Sequence, residues 1–312
     1  MKKLILALIW LTFSFSYSQN ENVKKTEVDV NSLIKGTLFY AENTEKKPNL
    51  VILIAGSGPT DRNGNQKATG ENNSLKFLAE SITDQKTSVF SYDKRILQQL
   101  KMGTVDEKSA RFDDLLTDAC DVFNYFKSQN TYGKIYFAGH SEGSLVGMVA
   151  SNTAKANGFI SLAGPGRPID VVLAEQIAKN ASILEEDSKV ILAALKRGET
   201  VKITNPFLTS LFRESVQPYL ISWMKYNPQE EIQKLNIPIL IINGTKDLQV
   251  PAQDAELLHT ANPKSELALI ENMNHIFKEI INDDDNLKSY SNPDLPVMKQ
   301  LVDAMTNFIQ LH

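Results

Sequence analysis

The strongest chemical motif in the sequence is the pentapeptide Gly139-His140-Ser141-Glu142-Gly143. It follows a short apolar segment, Lys134–Ala138, that is typical of a buried strand, and it leads into a helical pattern that begins near Ser144. A serine in such a turn needs small neighbours, because the chain must turn sharply to leave the hydroxyl exposed. The spacing therefore predicts that Ser141 is a nucleophile at the carboxyl edge of a sheet, close to the positive end of the next helix dipole.

A serine hydroxyl needs a general base, and histidine is the usual one. The chain contains four histidines. We expect His275 to be the base, because it lies in a loop directly after a predicted strand, at the sheet edge where the nucleophile stands. The other interpretation of His275 is an ordinary surface histidine. The remaining three are weaker candidates: His140 should point away from Ser141, His259 lies in a helical pattern, and His312 is the last residue.

An acidic residue should orient the imidazole and stabilise its cation. Asp247 ends the segment Asn243-Gly244-Thr245-Lys246-Asp247, which directly follows the predicted strand Ile237–Ile242. The order Ser141, Asp247, His275 along the chain is the one that accompanies this kind of turn in hydrolases. Asp254 is a competing carboxylate, but it falls within the next predicted helix. Asp247 itself could instead be a helix cap or a solvated loop residue.

The oxyanion that develops during attack by a serine needs backbone donors. We expect the N–H of Glu142, the residue after the nucleophile, to be one of them. The other should come from the loop Gly56-Ser57-Gly58-Pro59-Thr60-Asp61-Arg62, where we favour the N–H of Ser57. A glycine-rich turn without chemistry is the alternative. A phosphate-binding loop is disfavoured, because the loop has neither a Gly-Lys-Ser/Thr ending nor a Gly-x-Gly-x-x-Gly spacing.

The candidate residues lie between strands and helices that alternate along the chain. Apolar runs predict buried strands at Asn49–Ala55, Thr87–Tyr92, Lys134–Ala138, Gly158–Ala163, Ile237–Ile242 and Glu266–Ile270. Helical spacing predicts helices at Ser74–Thr83, Ser109–Ser128 and Ser144–Ala154. Residues 26–40 are expected to form a hairpin of less buried strands. This alternation predicts an α/β fold in which helices flank a mostly parallel central sheet on both sides.

One long segment, residues 168–234, interrupts this alternation with helical patterns and no convincing strand. It is too long for an ordinary connection, so we expect a helical cap packed over one edge of the sheet. Its Phe, Tyr and Leu side chains and Trp223 either form an apolar pocket for an acyl or alcohol group or simply pack the cap. The Glu142 side chain either recognises a positive group, such as a peptide amino terminus, or is a solvated acid.

The first residues have the pattern of a signal peptide. Two lysines precede an uncharged run from Leu4 to Phe15, and Ser16 and Ser18 provide the small residues of a cleavage site. The run is shorter than the ~20 residues of a membrane-spanning helix, so a retained anchor is the less favoured interpretation. We expect residues 1–18 to be a signal peptide and residues 19–312 to form an exported domain, periplasmic or extracellular.

Composition argues against several other classes of function. The chain has 312 residues, a formal net charge of −4 and a single cysteine, Cys120. No excess of Lys or Arg favours nucleic acid or an anionic membrane as a partner. One cysteine cannot build a disulfide framework or a multi-thiolate zinc site, and few histidines are available for a metal site. We therefore expect a small-molecule substrate, no cofactor, no nucleic acid and, after signal removal, no membrane, while the oligomeric state stays open.

Together, these segments resemble the α/β-hydrolase superfamily, and in particular secreted bacterial carboxylesterases and serine aminopeptidase-like hydrolases. The resemblance spans about residues 30–311, the cap included. It rests on the loop at 56–62, Tyr92-Asp93-Lys94-Arg95, the turn at 139–143, Gly244-Thr245-Lys246-Asp247-Leu248-Gln249-Val250 and Asn274-His275. Two positions depart from the pattern of many relatives, since Ala55 stands where they have His and Ile96 stands where they have Gly.

The resemblance implies an α/β-hydrolase fold with a helical cap insertion and a triad of Ser141, Asp247 and His275. The implied activity is that of a serine hydrolase that cleaves small acyl esters through an acyl-enzyme. A serine peptidase or aminopeptidase of the same fold is the alternative, and a non-catalytic binding protein is a more remote one. Ala55 is expected to loosen the hydrogen bonding behind the glycine-rich loop without removing a backbone donor.

Overall fold

The computed structural model describes residues 23–44, 46–68 and 70–312. Its strands are β1 (Val23–Asp29), β2 (Lys35–Ala41), β3 (Asn49–Ile54), β4 (Thr87–Tyr92), β5 (Ile135–His140), β6 (Gly158–Leu162), β7 (Ile239–Gly244) and β8 (Glu266–Ile270). They form one sheet in the order β1-β2-β4-β3-β5-β6-β7-β8. The pairs β1–β2 and β2–β4 are antiparallel, and every later pair is parallel. The predicted mostly parallel sheet is confirmed.

Burial along the strands follows from this arrangement, because parallel strands covered on both faces are apolar almost throughout. Every residue of β4, β5, β6 and β7 is buried, whereas β1 at the sheet edge is mostly exposed. Successive residues of β3 point to opposite faces. Leu50 and Ile52 belong to one apolar cluster, and Val51 and Leu53 belong to the other.

Helices cover both faces of the sheet, as predicted. They are α1 (Ser74–Ile82), α2 (Arg95–Met102), α3 (Phe112–Ser128), α4 (Glu142–Ala154), α5 (Ile169–Asn180), α6 (Glu185–Lys196), α7 (Thr209–Phe212), α8 (Gln217–Trp223), α9 (Pro228–Gln233), α10 (Ala252–Ala261), α11 (Asn286–Ser289) and α12 (Lys299–Leu311). Apolar residues of α3, α4 and α10 share the cluster of Leu50, and those of α1 and α12 share the cluster of Val51. The sheet is therefore enclosed between two separate apolar layers.

Residues 168–234, here called the cap segment, lie between β6 and β7 along the chain and contain α5 to α9. The structure describes all of these residues, and none of them is in a strand. The segment has its own apolar cluster, which includes the fully buried Leu195, Leu208 and Phe212. It packs against α3, α4 and α10, and at α3 the N–H of Phe112 donates to Ser222 Oγ at 2.7 Å.

Several element boundaries differ from the sequence expectation near the candidate site. β5 extends to His140, and α4 begins at Glu142 instead of near Ser144. The turn that carries the predicted nucleophile is thus a single residue long. β7 begins at Ile239, two residues later than expected, because Pro238 has no N–H with which to join the sheet.

Sequence analysis misses α2 and α12 as helices. Ile96 lies inside α2, where the glycine of many relatives would weaken a helix. In α12 the buried residues Leu301, Met305 and Phe308 have helical spacing, so the sequence pattern was sufficient to predict this helix.

The predicted signal peptide, residues 1–18, lies outside the described residues. Within the part of the chain that the structure describes, no helix is long and apolar enough to span a membrane.

Lys278 is a fully buried lysine in the segment between β8 and α12. Its ammonium donates to the carbonyl oxygen of Leu295 and lies 4.9 Å from the centre of the Phe77 ring. Burial lowers the pKa of Lys278 to about 7. A lysine in an unfolded chain has a pKa of ~10.4, so between these two values the unfolded state binds more protons than the folded state. The free energy of unfolding should therefore rise with pH across this interval.

Replacement of this lysine by an isosteric apolar residue should show the effect. We expect Lys278→Met to raise the free energy of unfolding by roughly 1–3 kcal/mol at pH 6.5, since a buried charge is removed. The difference from wild type should shrink as the pH rises to 9. Urea unfolding at both pH values measures it, with Lys76→Met as the control, because Lys76 contacts the same ring and is only half-buried. A stability difference that does not change with pH would contradict the assignment.

Candidate active site

The turn at residues 139–143 holds Ser141 in a strained backbone conformation between β5 and α4. Ser141 has φ 55° and ψ −121°, a conformation that costs a non-glycine residue about 1–3 kcal/mol. A Cβ atom on Gly139 would lie 2.0 Å from the carbonyl oxygen of Gly143, and one on Gly143 would lie 2.5 Å from that of Ile54. Only glycine fits at both positions, which explains the Gly-x-Ser-x-Gly spacing physically.

Neighbouring elements hold this turn in place. The N–H of Ser141 donates to the carbonyl oxygen of Leu162 at 2.9 Å, which continues the pairing of β5 with β6. The Ser141 carbonyl accepts from the N–H of Ser144 at 2.9 Å. Because α4 begins at Glu142, the positive end of its dipole lies directly beside the Ser141 hydroxyl.

Asp247 and His275 form a buried, hydrogen-bonded pair. His275 Nδ1 lies 2.7 Å from Asp247 Oδ2, and the aspartate side chain has no exposed surface. The backbone N–H groups of Gln249 and Val250 donate to Asp247 Oδ1 at 2.8 and 2.9 Å. These donors stabilise the ionised carboxylate. The carboxylate in turn fixes the proton of His275 on Nδ1 and leaves Nε2 as the acceptor.

The competing candidates have other partners. Asp254 accepts hydrogen bonds from the N–H of Gly166 at 2.8 Å and from the Arg167 guanidinium, so it anchors the chain just before the cap segment. His259 Nδ1 lies 2.9 Å from Ser265 Oγ, and His312 Nε2 lies 3.0 Å from a carboxylate oxygen of Glu266. None of these side chains lines the cavity that contains the predicted nucleophile.

That cavity has a volume of about 230 Å³ and brings together three of the predicted site residues: Ser57, Ser141 and His275. Asp247 lies behind His275, and Glu142 contributes no lining surface. Among the described residues, no hydrogen bond joins the Ser141 hydroxyl to the His275 ring. The full lining is Gly56, Ser57, Gly58, Thr60, Gly64, Gln66, Asn72, His140, Ser141, Gln249, His275, Ile276 and Tyr290. Most of these lining residues have polar side chains, and none of them is Asp, Glu, Lys or Arg.

The glycine-rich loop is fixed by side chains that hold its carbonyl groups. The Ser57 carbonyl accepts hydrogen bonds from Thr60 Oγ1 and from Gln66 Nε2, both at 2.8 Å. Gly58 has φ 77°, a left-handed conformation that favours glycine. Among the described residues, the N–H of Ser57 donates to no backbone or side-chain group. It therefore has no partner within the described protein, and the N–H of Glu142 lies in the first turn of α4, where N–H groups have no intrahelical acceptor.

Sequence reasoning missed the role of His140. Its buried ring lines the cavity beside His275, with the two ring centres 4.7 Å apart. His140 Nε2 donates to the backbone carbonyl of His275 at 2.9 Å, so it supports the loop that carries the predicted base. Burial, together with the neighbouring His275, lowers the pKa of His140 to about 3. No spacing rule links residues so distant in sequence, so this contact had no sequence signal.

Both interpretations of the Glu142 side chain are wrong. Glu142 is buried, so it is not a solvated acid, and its carboxylate already has two partners inside the protein. Lys94 Nζ donates to Oε2 at 2.5 Å, and Tyr219 Oη donates to Oε1 at 2.6 Å. Burial and the adjacent carboxylate raise the pKa of Tyr219 well above its usual value, so the phenol keeps its proton. The carboxylate is not available to a peptide amino terminus.

The aromatic residues Tyr219 and Trp223 of the cap segment pack against α3 and do not line the cavity. Trp223 stacks on Phe112 of α3 with ring centres 5.4 Å apart and an interplanar angle of 5°. Tyr219 meets the same two rings edge-on. No residue of the cap segment is among the lining residues of the cavity. For Tyr219 and Trp223 the packing interpretation therefore holds, and the cap segment does not form the wall of the cavity that contains Ser141.

No protein-family model matches the chain. The chain is similar in sequence to Esterase EstD from Thermotoga maritima, with 25% identity over 252 residues. The match covers 77% of this chain and 56% of the relative, so the chain spans only about half the length of that protein.

Solved structures resemble the chain over nearly its whole length. Est1E from Butyrivibrio proteoclasticus has a TM-score of 0.58 at 16% identity, covering 92% of this chain and 98% of its own. Dienelactone hydrolase from Anabaena variabilis has a TM-score of 0.54 at 13% identity, covering 94% and 99%. The Pyrococcus furiosus esterase Pf2001 has 0.51 at 13% identity, covering 93% and 90%. With the observed strand order, these likenesses define the fold as an α/β-hydrolase fold.

The histidine assignment can be tested through the reactivity of Ser141. His275→Ala should slow covalent labelling of Ser141 by a fluorophosphonate at least ~10³-fold, because the serine loses its base. His259→Ala is the matched control and should label at the wild-type rate, since its ring contacts Ser265 outside the cavity. Labelling rates of folded, purified variants measure both effects. The opposite ranking of the two variants would show that His275 is not the base.

Proposed function

We propose that the protein is a serine hydrolase that cleaves small carboxylic esters through an acyl-enzyme. One observation carries the proposal: the buried Asp247–His275 pair, 2.7 Å apart, lies at the same cavity as a serine on a strained strand-to-helix turn. The groups of a nucleophile, a base and an orienting acid thus converge from β5, β7 and the loop after β8.

In the acylation half-reaction, Ser141 Oγ attacks the ester carbonyl while His275 Nε2 accepts the hydroxyl proton. The carbonyl electron pair moves onto oxygen, where the N–H groups of Ser57 and Glu142 stabilise the negative charge. When the tetrahedral intermediate collapses, the bond to the alkoxy group breaks and His275 returns the proton to the leaving alcohol. The acyl group then remains on Ser141.

Deacylation repeats these steps with water. His275 removes a proton from water as its oxygen attacks the acyl carbonyl, and the bond to Ser141 Oγ breaks as the serine recovers the proton. The products are the carboxylic acid and free enzyme. Asp247 stays ionised throughout, since its oxygens hold the Nδ1 proton of His275 and two backbone N–H groups.

The comparisons support the ester class. The relative from Thermotoga maritima is named an esterase, and the Butyrivibrio proteoclasticus structure has also been solved with ferulic acid bound. The cavity wall supports an ester more than a peptide substrate. None of its lining residues is Asp, Glu, Lys or Arg, so the described cavity has no charged anchor for a peptide terminus.

We further propose that the protein acts outside the cytoplasm. The lysines and uncharged run of residues 1–18 support export with cleavage before Gln19. The test is expression of the full chain in a bacterium, followed by fractionation and mass determination. Recovery of a periplasmic or extracellular product that begins at Gln19 supports export, and a full-length cytoplasmic product contradicts it.

Removal of the nucleophile should abolish both labelling and turnover. We expect Ser141→Ala to lower kcat for p-nitrophenyl acetate at least ~10⁴-fold with the fold intact. Ser144→Ala, three residues away, should still be labelled by a fluorophosphonate, because Ser144 Oγ lies within hydrogen-bond distance of Ser161 in the interior.

The choice of substrate distinguishes an esterase from a peptidase. Wild-type protein should hydrolyse p-nitrophenyl acetate and butyrate and leave an aminoacyl p-nitroanilide intact. Turnover of the anilide alone would favour a peptidase. A folded wild type that neither labels nor turns over any of these compounds would favour a binding protein.

The pH profile should report a single histidine. Because the base must be neutral, kcat/KM should fall on acidification with a limiting slope of one on a logarithmic plot. His140 does not add a second proton above about pH 4, since burial and the neighbouring His275 hold its pKa at about 3. Rates measured between pH 4.5 and 8.5 test this. A limiting slope of two would mean that both rings titrate together.

A further inference from the structure

Lys94 is buried beside the candidate site, and its ammonium binds Gly56, which precedes the predicted donor Ser57, and the side chain of Glu142, whose N–H is the other predicted donor. Only 9% of its side chain is exposed. Its ammonium donates to the carbonyl oxygen of Gly56 at 3.0 Å and to Glu142 Oε2 at 2.5 Å. Gly56 belongs to the glycine-rich loop, and Glu142 is the residue after the nucleophile. One charged group thus joins the two segments that frame the cavity.

The bond to Gly56 constrains the N–H of Ser57. The carbonyl of Gly56 and the N–H of Ser57 belong to the same planar peptide unit and, because it is trans, point in opposite directions. A donor that holds the carbonyl oxygen therefore sets the direction of the N–H. It also polarises the peptide, which makes the N–H a stronger hydrogen-bond donor.

The bond to Glu142 constrains the other donor. The N–H of Glu142 is the second predicted oxyanion donor, and its carboxylate is held on one side by Lys94 and on the other by Tyr219. The first residue of α4 is thereby fixed by its side chain as well as by the helix. Tyr219 comes from the cap segment, so the cap segment takes part in holding the turn.

Two flanking ion pairs keep Lys94 in position. Asp93 accepts hydrogen bonds from the Arg62 guanidinium at 3.1 and 2.9 Å, and Arg95 donates to Asp118 of α3 at 2.8 and 2.6 Å. Three consecutive side chains thus reach three different elements. The backbone at Lys94 cannot shift without breaking one of these pairs.

We propose that Lys94 is a positioning residue for the oxyanion hole, which it aligns by holding the Gly56 carbonyl and the Glu142 carboxylate together. The inference rests on the proposed esterase function. It predicts a loss confined to the transition state, because the substrate carbonyl becomes an oxyanion only after attack.

The experiment compares two variants with wild type. Lys94→Met removes the ammonium but leaves Glu142 as an unpaired buried carboxylate, which destabilises the fold. Lys94→Met combined with Glu142→Gln removes both charges. This double variant therefore distinguishes the loss of oxyanion-hole alignment from the cost of an unpaired buried charge. Lys196→Met is the matched control, since Lys196 also bonds one carboxylate, Asp170, and one carbonyl, that of Met224, but within the cap segment and with more exposure.

Active enzyme is first counted by fluorophosphonate titration, and thermal unfolding checks the fold. Kinetics with p-nitrophenyl acetate then give kcat and KM. Removal of one oxyanion donor typically costs ~10²–10³ in kcat, so misalignment should lower kcat about 10- to 100-fold. KM should change less than about threefold. Affinity for a trifluoromethyl ketone, whose serine adduct carries the oxyanion, should fall in parallel with kcat.

The double variant decides the outcome. If alignment matters, it regains thermal stability but keeps the low kcat and the weak ketone binding. If it recovers wild-type kcat, Lys94 serves only to neutralise Glu142, and the proposal is overturned. A change in KM with kcat preserved would also overturn it. A wild type that hydrolyses no ester would instead refute the proposed function, and the Lys196→Met control should match wild type throughout.

Discussion

The close approach of three backbone segments at the turn after β5 is the constraint on which the rest of the structure depends. Gly139, Gly143 and the end of β3 are packed so closely that a single added methyl group would overlap a carbonyl oxygen. This approach drives Ser141 into a positive-φ conformation, which needs support from all sides. β6 supports this conformation because the Ser141 N–H donates to the carbonyl oxygen of Leu162. The buried helix α4 supports it because the N–H of Ser144 donates to the Ser141 carbonyl. The strain persists because the parallel sheet around it is almost entirely apolar and cannot relax without losing burial.

The charged side chains that position the candidate site are buried as well. Because they are buried, each one needs a partner of opposite charge. A charge inside a protein is tolerated only when it is paired and hydrogen-bonded, and removal of one member leaves the other unpaired at a cost of several kcal/mol. Asp93, Lys94 and Arg95 meet this condition by reaching the glycine-rich loop, the nucleophile turn and α3, respectively. Such pairs add little net stability compared with apolar packing. Their effect is geometric, because each one is satisfied in only one arrangement of the neighbouring elements.

Sequence analysis predicted the sheet and most flanking helices. Buried parallel strands have apolar runs, which can be recognised without knowing which strands lie next to each other. The same logic located the segments that carry Ser141, Asp247 and His275, since the carboxyl ends of parallel strands meet at one edge. Sequence analysis failed where the role of a residue depends on a contact with a side chain that is distant in sequence. The ring of His140 beside His275 and the pairing of Glu142 with Lys94 and Tyr219 are such cases. The cap aromatics are another, because apolar helical spacing is the same for a residue that packs on α3 and for one that lines a pocket.

The neighbouring rings of His140 and His275 show how burial can assign different tasks to the same residue type. A hydrolytic serine needs an imidazole that becomes positively charged at the transition state, and a second charge 4.7 Å away between ring centres would oppose it. His140 avoids this conflict, because burial keeps its ring neutral. A neutral imidazole still has one N–H, and His140 uses it to hold the carbonyl of His275. Asp247 supplies the opposite charge on the other side of His275. In the proposed mechanism, His275 is thus flanked by a carboxylate that stabilises its cation and by a ring that positions it without repelling that cation.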